Sequence, residues 1–242
     1  EVDISAKTSA LDFATKMDLA SETLIFQAIT NSRPNDAILG EEGSTKDGDS
    51  GYTWVIDPID GTVNYLYDIP GWCVSIAIKD GDGPLVGVVT SPSIGRTWSA
   101  IRGGGAFCNE QRISCNDPVQ LDRALIATGF AYNLARRKPQ GEYIEKLLPK
   151  IRDIRRMGAC AVDICMVASG SVDAHFEGGV NEWDFAAASL IARESGARSS
   201  SIPDWDGKHF VLTAGPALYL ELARELEESL KSTLNGGQNS LI

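Results

Sequence analysis

The chain has 242 residues, 43% of them hydrophobic and 23% charged, with a formal net charge of −11. These are the proportions of a globular protein able to bury a sizeable core, and no apolar run is long enough to span a bilayer. The acidic balance argues against non-specific binding to nucleic acid or to anionic membranes, but it leaves room for an anionic substrate where a metal supplies local positive charge.

In chain order, residues 1–15 read as loop or short strand. Met17, Ala20, Leu24, Ala28 and Ile29 recur at helical spacing and predict an amphipathic helix over 16–31. Asp18 falls at its start, where an acid complements the helix dipole. A short apolar run at 37–39 leads into Gly40-Glu41-Glu42-Gly43, which in isolation is an ordinary polar loop tip. Residues 44–51 are rich in Gly, Asp and Ser and predict a mobile surface loop.

The stretch W-V-I-D-P-I-D-G-T-V-N-Y at 54–65 begins as a buried strand and ends in acid. Asp57 and Asp60 lie three apart around Pro58, which removes a backbone donor. Gly61 follows, and Thr62 stands where a helix could start. Such a corner suits a hard cation on the carboxylates and a phosphate on the free N–H groups. It is equally compatible with a plain solvated turn. The i, i+3 spacing departs from the D-x-D-G-T of aspartyl-phosphate phosphatases, and the pattern of an EF-hand is missing.

Residues 72–78, 85–89 and 96–101 predict an antiparallel meander, with Trp72, Val74, Ile76 and Ile78 sharing one face. Gly103-Gly104-Gly105 marks a turn and lacks a nucleotide-binding frame. Beyond residue 114 the pattern changes to a strand at 125–128, a helix over 143–151 broken at Pro149, and an apolar helix from Gly158 to Gly170. A strand at 172–176 then delivers Glu177. An alanine-rich helix opens at Trp183-Asp184 and ends at Gly196. A last strand at 209–213 precedes a helix from Pro216 with a Leu218, Leu222, Leu226 and Leu230 stripe. The tail from about Thr233 reads as disordered. Alternating helices and strands give a mixed α/β (α+β) fold, taken as one domain over 1–242 with halves at about 1–113 and 114–232.

Five cysteines without a C-x-x-C read as free thiols in a reducing compartment, which places the protein in the cytoplasm. His175 and His209 are far apart in the chain, which argues against a zinc site or histidine-based catalysis. Glu41, Asp57, Asp60 and Asp184 stand out as acids at strand ends or helix starts. Gathered in one place they would repel one another severely unless cations lay between them.

Three motifs carry a resemblance: G-E-E-G at 40–43, the 54–65 stretch, and W-D-F-A-A-A-S-L-I-A-R-E-S-G-A at 183–197. With D-F-A-T-K-M-D at 12–18 and G-A-C-A-V-D at 158–163, they make the chain resemble the inositol monophosphatase family, within the group that includes fructose-1,6-bisphosphatase. The resemblance starts at this first segment, and the helix that the family carries ahead of it is expected to be absent or truncated in this sequence. The resemblance implies a layered αβαβα sandwich, a homodimer, lithium sensitivity, and two or three Mg²⁺ ions per subunit. It implies that Glu41, Asp57 and the Ile59 carbonyl hold one ion, and that Asp57, Asp60 and Asp184 hold a second. Glu41 would also position a third. Asp18 and Thr62 would orient the attacking water, with Glu41, Thr62 and Asp18 as the catalytic group. Gly61 and Thr62 would receive the phosphate. Asp60, Gly158, Ala159, Cys160 and Glu177 would face the alcohol portion. Ala159 and Cys160 depart from the family's usual Thr or Ser and Ala, which removes a hydroxyl contact.

The implied activity is Mg²⁺-dependent hydrolysis of myo-inositol 1-phosphate by an activated water, with no covalent nucleophile. The same machinery on histidinol phosphate, fructose 1,6-bisphosphate or a nucleotide 3′-phosphate is the close rival. A catalytically dead regulatory binding protein is the rival of a different class. The expected partner is a small phosphomonoester, with neither nucleic acid nor membrane.

Overall fold

The computed structural model describes residues 4–6, 13–203 and 208–233. A short hairpin of β1 (Ile4–Ala6) and β2 (Phe13–Thr15) leads directly into α1 (Lys16–Ser32). Next come β3 (Ala37–Gly40), β4 (Thr45–Lys46), β5 (Thr53–Asp60) and the short α2 (Thr62–Leu66). The meander is β6 (Cys73–Asp80), β7 (Gly83–Ser91), β8 (Arg96–Ile101), β9 (Gly105–Cys108) and β10 (Gln111–Arg112). The second half supplies β11 (Leu125–Thr128), α3 (Leu134–Leu147), β12 (Asp153–Arg155), α4 (Cys160–Ala168), β13 (Ala174–Val180), α5 (Glu182–Glu194), β14 (Arg198–Pro203), β15 (His209–Ala214) and α6 (Pro216–Thr233).

Two sheets organise the molecule. One has eight strands in the order β10-β9-β8-β7-β6-β5-β3-β4; the other has five, in the order β12-β11-β13-β15-β14. In the first, only β3 and β5 run parallel; in the second, β11 is parallel to both its neighbours and the remaining pairs are antiparallel. α4 and α5 lie between the sheets, α1 packs on β5, and α3 and α6 pair on the five-stranded side. The layering is therefore αβαβα.

The middle layer is close because it is made of small residues. On β6 the fully buried face is Cys73, Ser75 and Ala77, not the half-buried Val74, Ile76 and Ile78. The predicted shared face of Val74, Ile76 and Ile78 lies on the other side, where Ile76 joins Ile29, Ile38 and Ile56 beneath α1. Small side chains let the alanine-rich α5 approach: a Cβ on Gly87 would lie 2.7 Å from the Ala187 carbonyl oxygen. Glu182 in the first turn of α5 holds Lys79 of β6 through both carboxylate oxygens, at 2.7 and 2.9 Å.

α1 also differs from expectation. Its length is as predicted, but Met17 and Leu24 are 50% and 69% exposed, whereas Asp18 and Glu22 are buried with Ile29. The inward face of this helix is chosen by acids that have backbone and hydroxyl partners. The segment 44–51 is pinned rather than loose: Thr45–Lys46 pairs with β3, and the Asp49 N–H donates to the Asn35 carbonyl at 3.0 Å. α3 starts nine residues before the predicted 143, capped by Asn133 and carrying Pro139 inside it. β14 went unpredicted. The Leu218, Leu222 and Leu226 stripe of α6 is buried as expected. The Leu230 side chain and the tail beyond 233 lie outside the described residues.

Candidate active site

β5 runs through the acidic stretch and breaks register with β6 between Asp57 and Asp60. Pro58 cannot donate to the ladder, and the Ile59 N–H turns back to Asp57 Oδ1 at 3.1 Å. The irregularity delivers Asp57 and Asp60, both buried, into one cavity. Gly61 then takes φ = +87°. A side chain there would be strained and would meet Ala159 Cβ at 3.0 Å and the Gly158 carbonyl at 3.2 Å. The 158–160 segment is thereby pressed against the acidic corner, and Asn64 holds it by donating to the Met157 carbonyl at 2.8 Å.

The cavity has a volume of about 800 Å³. Glu41, Asp57, Ile59, Asp60, Gly61, Thr62, Gly158, Cys160, Glu177 and Asp184 all line it. Asp184, more than a hundred residues from Asp57, therefore arrives at the same place. It is the third residue of α5, where its carboxylate accepts the Asn181 N–H at 2.6 Å and completes a capping box. Capping and a place at the cavity wall are compatible, because a carboxylate has lone pairs to spare. Asp18 and Ala159 are absent from the lining. Asp18 lies behind Thr62, whose hydroxyl is 3.4 Å from Asp18 Oδ1 and 3.1 Å from the Ile59 carbonyl. Ala159 packs beneath Gly61.

Electrostatics reflect the crowding. Burial, then Glu41, Asp60 and Asp184, push the Asp57 carboxyl well above the usual range. Burial pushes Asp60 up to about 7, with Glu177 and Glu41 adding to it, although the N–H groups of Ala161 and Cys160 donate to its carboxylate at 2.7 and 3.2 Å. Asp184 is pushed up to about 7 by burial and then by Asp60, against the Asn181 N–H and Lys208. Carboxylates so placed favour either protons or cations. The donor set is oxygen alone, which fits a hard divalent ion rather than a thiophilic one.

Several residues at the site escape sequence reasoning. Glu22, one turn after Asp18, accepts the N–H groups of Glu42 and Ser44, each at 2.8 Å, and braces the loop that carries Glu41. Gly40 leaves room for that carboxylate: a Cβ there would lie 2.5 Å from Glu22 Oε2 and would push it aside. Two acids four residues apart, off to one side of the apolar stripe assigned to the helix, were the available signal. Arg136, Arg156 and Lys208 also line the cavity; the basic runs Arg136-Arg137-Lys138 and Arg155-Arg156 are the sequence signals that hint at them. His175, buried on β13, lies close to Cys160 and Glu177, a neighbourhood that its distance from His209 in the chain does not reveal.

The profile of the inositol monophosphatase family matches residues 1–236. The chain belongs to the inositol monophosphatase family. An inositol-1-monophosphatase of Mycobacterium bovis is 40% identical over 235 residues, covering 93% of this chain and 81% of the relative. A Pasteurella multocida protein named Nus factor SuhB is 38% identical over 230 residues, covering 92% and 85%. Among solved structures, the extragenic suppressor protein suhB from Bartonella henselae superposes with a TM-score of 0.87 at 30% identity, covering 94% of this chain and 89% of that one. Inositol monophosphatases are metal-dependent phosphatases of small phosphomonoesters, and the αβαβα layering here is that of the family. No helix among the described residues is long and apolar enough to cross a membrane.

Proposed function

We propose that this chain hydrolyses myo-inositol 1-phosphate using Mg²⁺. The observation that carries the proposal is the meeting of Glu41, Asp57, Asp60 and Asp184 in one cavity, with Thr62 beside them. Glu41, Asp57 and the Ile59 carbonyl would hold one ion, and Asp57, Asp60 and Asp184 a second, with Glu41 also near a weaker third. When bound, such ions acidify a water, screen the phosphate and stabilise the leaving oxygen.

The chain's own groups supply the rest. Thr62 and Asp18 orient the water: the single Thr62 O–H proton is directed to Asp18 or to the Ile59 carbonyl, which leaves the oxygen's lone pairs to accept from the water. The backbone amides of Gly61 and Thr62 receive the phosphate. Helix α2 has only five residues, so local N–H groups outweigh any macrodipole. Asp60 is held by the first N–H groups of α4. It and Glu177 face the hydroxyls of the alcohol. No cysteine or histidine is required as a nucleophile, so transfer to water is direct.

The test is phosphate release from a panel of phosphomonoesters, with and without Mg²⁺. Inositol 1-phosphate is expected to give the highest kcat/KM, and activity is expected to vanish with a chelator. Inversion at an isotopically chiral phosphate is expected; a trapped phosphoenzyme would refute direct transfer. Arg136, Arg156 and Lys208 at the cavity wall favour a second reading, in which the substrate carries another anionic group, as in a sugar bisphosphate or a nucleotide 3′-phosphate. The same panel separates the two, and silence on every ester would leave a binding role. The homodimer and the lithium sensitivity that the resemblance implies are tested by sedimentation and by lithium titration. Free thiols at all five cysteines fit a reducing, cytoplasmic setting.

A further inference from the structure

Cys160, His175 and Glu177 each bring one donor atom to a set lying within 4.8 Å of one another. Cys160 opens α4, while His175 and Glu177 are two apart on β13 and so project to the same face. His175 is fully buried and Cys160 is 6% exposed. The imidazole is poorly served by the protein. Nε2 is 3.4 Å from Glu177 Oε2, long for a hydrogen bond, and Nδ1 has no partner. A buried ring in that condition is costly unless it finds a ligand.

We propose that these three side chains form a second metal site, at the wall of the catalytic cavity and selective for zinc-class ions over Mg²⁺. The selectivity follows from the donors. A thiolate and an imidazole suit zinc, whereas Mg²⁺ prefers oxygen alone. Zinc bonds of about 2.3 Å to sulfur and about 2.0 Å to nitrogen and oxygen place tetrahedral ligands roughly 3.5 Å apart, so small rotations of the three side chains close the set. Binding is acid–base chemistry without redox change: the Cys160 S–H bond breaks, its proton leaves to solvent, and the sulfur lone pair is donated to the ion. Three protein ligands leave a fourth position for water. Cys160 and Glu177 both line the cavity, so that position opens towards substrate. Occupancy ties up Glu177 and inhibits turnover. This inhibitory consequence rests on the phosphatase function proposed above, whereas the binding itself does not.

Co²⁺ is the probe, titrated into protein kept in excess Mg²⁺. One equivalent is expected to produce a thiolate-to-cobalt band in the near ultraviolet, and Zn²⁺ is expected to displace it. Cys160→Ser should remove the band, and His175→Phe should weaken affinity by about tenfold or more. Cys73→Ser, the control for the nearby buried thiol, should leave the band intact. Absence of the band, or its survival in Cys160→Ser, overturns the site. If Cys160→Ser fails to fold, undiminished cobalt affinity in His175→Phe overturns it instead. In turnover assays, Zn²⁺ inhibition should persist as Mg²⁺ is raised and should weaken about tenfold in His175→Phe, with basal rate retained. Full relief by Mg²⁺ would place zinc among the carboxylates and sink the inhibitory role. A cobalt band without phosphatase activity would sink the proposed function and leave the metal site standing.

Discussion

The Glu22 carboxylate reaches from α1 to the backbone N–H of Glu42 at 2.8 Å, so the helix beneath the sheet sets the height of the loop that carries Glu41. Glu22→Gln replaces one acceptor oxygen with a donor facing an N–H group. The expected result is a fall in Mg²⁺ affinity of about tenfold, of the size seen when groups behind a metal ligand are changed, with kcat at saturating Mg²⁺ largely retained. Isothermal titration and the Mg²⁺ dependence of the rate check this. Unchanged affinity would separate the loop from the metal site.

Asp57→Asn and Asp184→Asn are expected to lower kcat by at least about a thousandfold while preserving the fold. The same variants should melt higher than the parent in chelator at pH 8, because each removes one of several crowded buried charges. Circular dichroism melts and phosphate release test both halves. Loss of activity together with unfolding would mean that the acids are structural.

pH dependence follows from Asp60 and Asp184, each pushed up to about 7 from 3.8. A carboxyl with a raised folded-state pKa binds its proton more tightly in the folded state. Its contribution is complete below pH 4 and is lost as pH rises through about 7. Across pH 5–8 the metal-free protein is therefore expected to lose stability, with a Tm drop of several degrees. With Mg²⁺ in excess that drop should disappear, since the cation replaces the proton. A Tm independent of pH in chelator would contradict the crowding.

Thr62→Ala should reduce kcat by about a hundredfold or more with little change in KM, as expected when a water-orienting hydroxyl is removed. Thr62→Ser should recover most of the rate, because the hydroxyl can still donate to Asp18 or the Ile59 carbonyl. Equal rates for alanine and threonine would assign the water to other groups.

Most of the architecture was legible because hydrophobic spacing marks α1, α5, α6 and the meander, and because acids at strand ends are conspicuous. What stayed hidden had partners invisible to periodicity. The polar β14 is held by hydroxyls: Ser199 meets Ser189 at 3.0 Å and Thr213 at 2.7 Å. The inward face of α1 was misassigned because Asp18 and Glu22 outcompete Met17 and Leu24 for the interior through specific acceptor roles. The fully buried face of β6 is not marked by hydrophobicity, because close helix approach selects Cys73, Ser75 and Ala77 over larger neighbours. The chain distance from His175 to His209 carried no sign that β13 and α4 bring His175 to Cys160.

Between Gly87 and Ala187 there is backbone and almost nothing else. The helix bearing Asp184 is thus seated by hard contact, with no compressible side chain to absorb error. A single methyl group introduced on β7 would lift that helix and be felt as a displaced carboxylate in the pocket. Catalytic precision in this protein is governed partly by residues that have no functional groups at all.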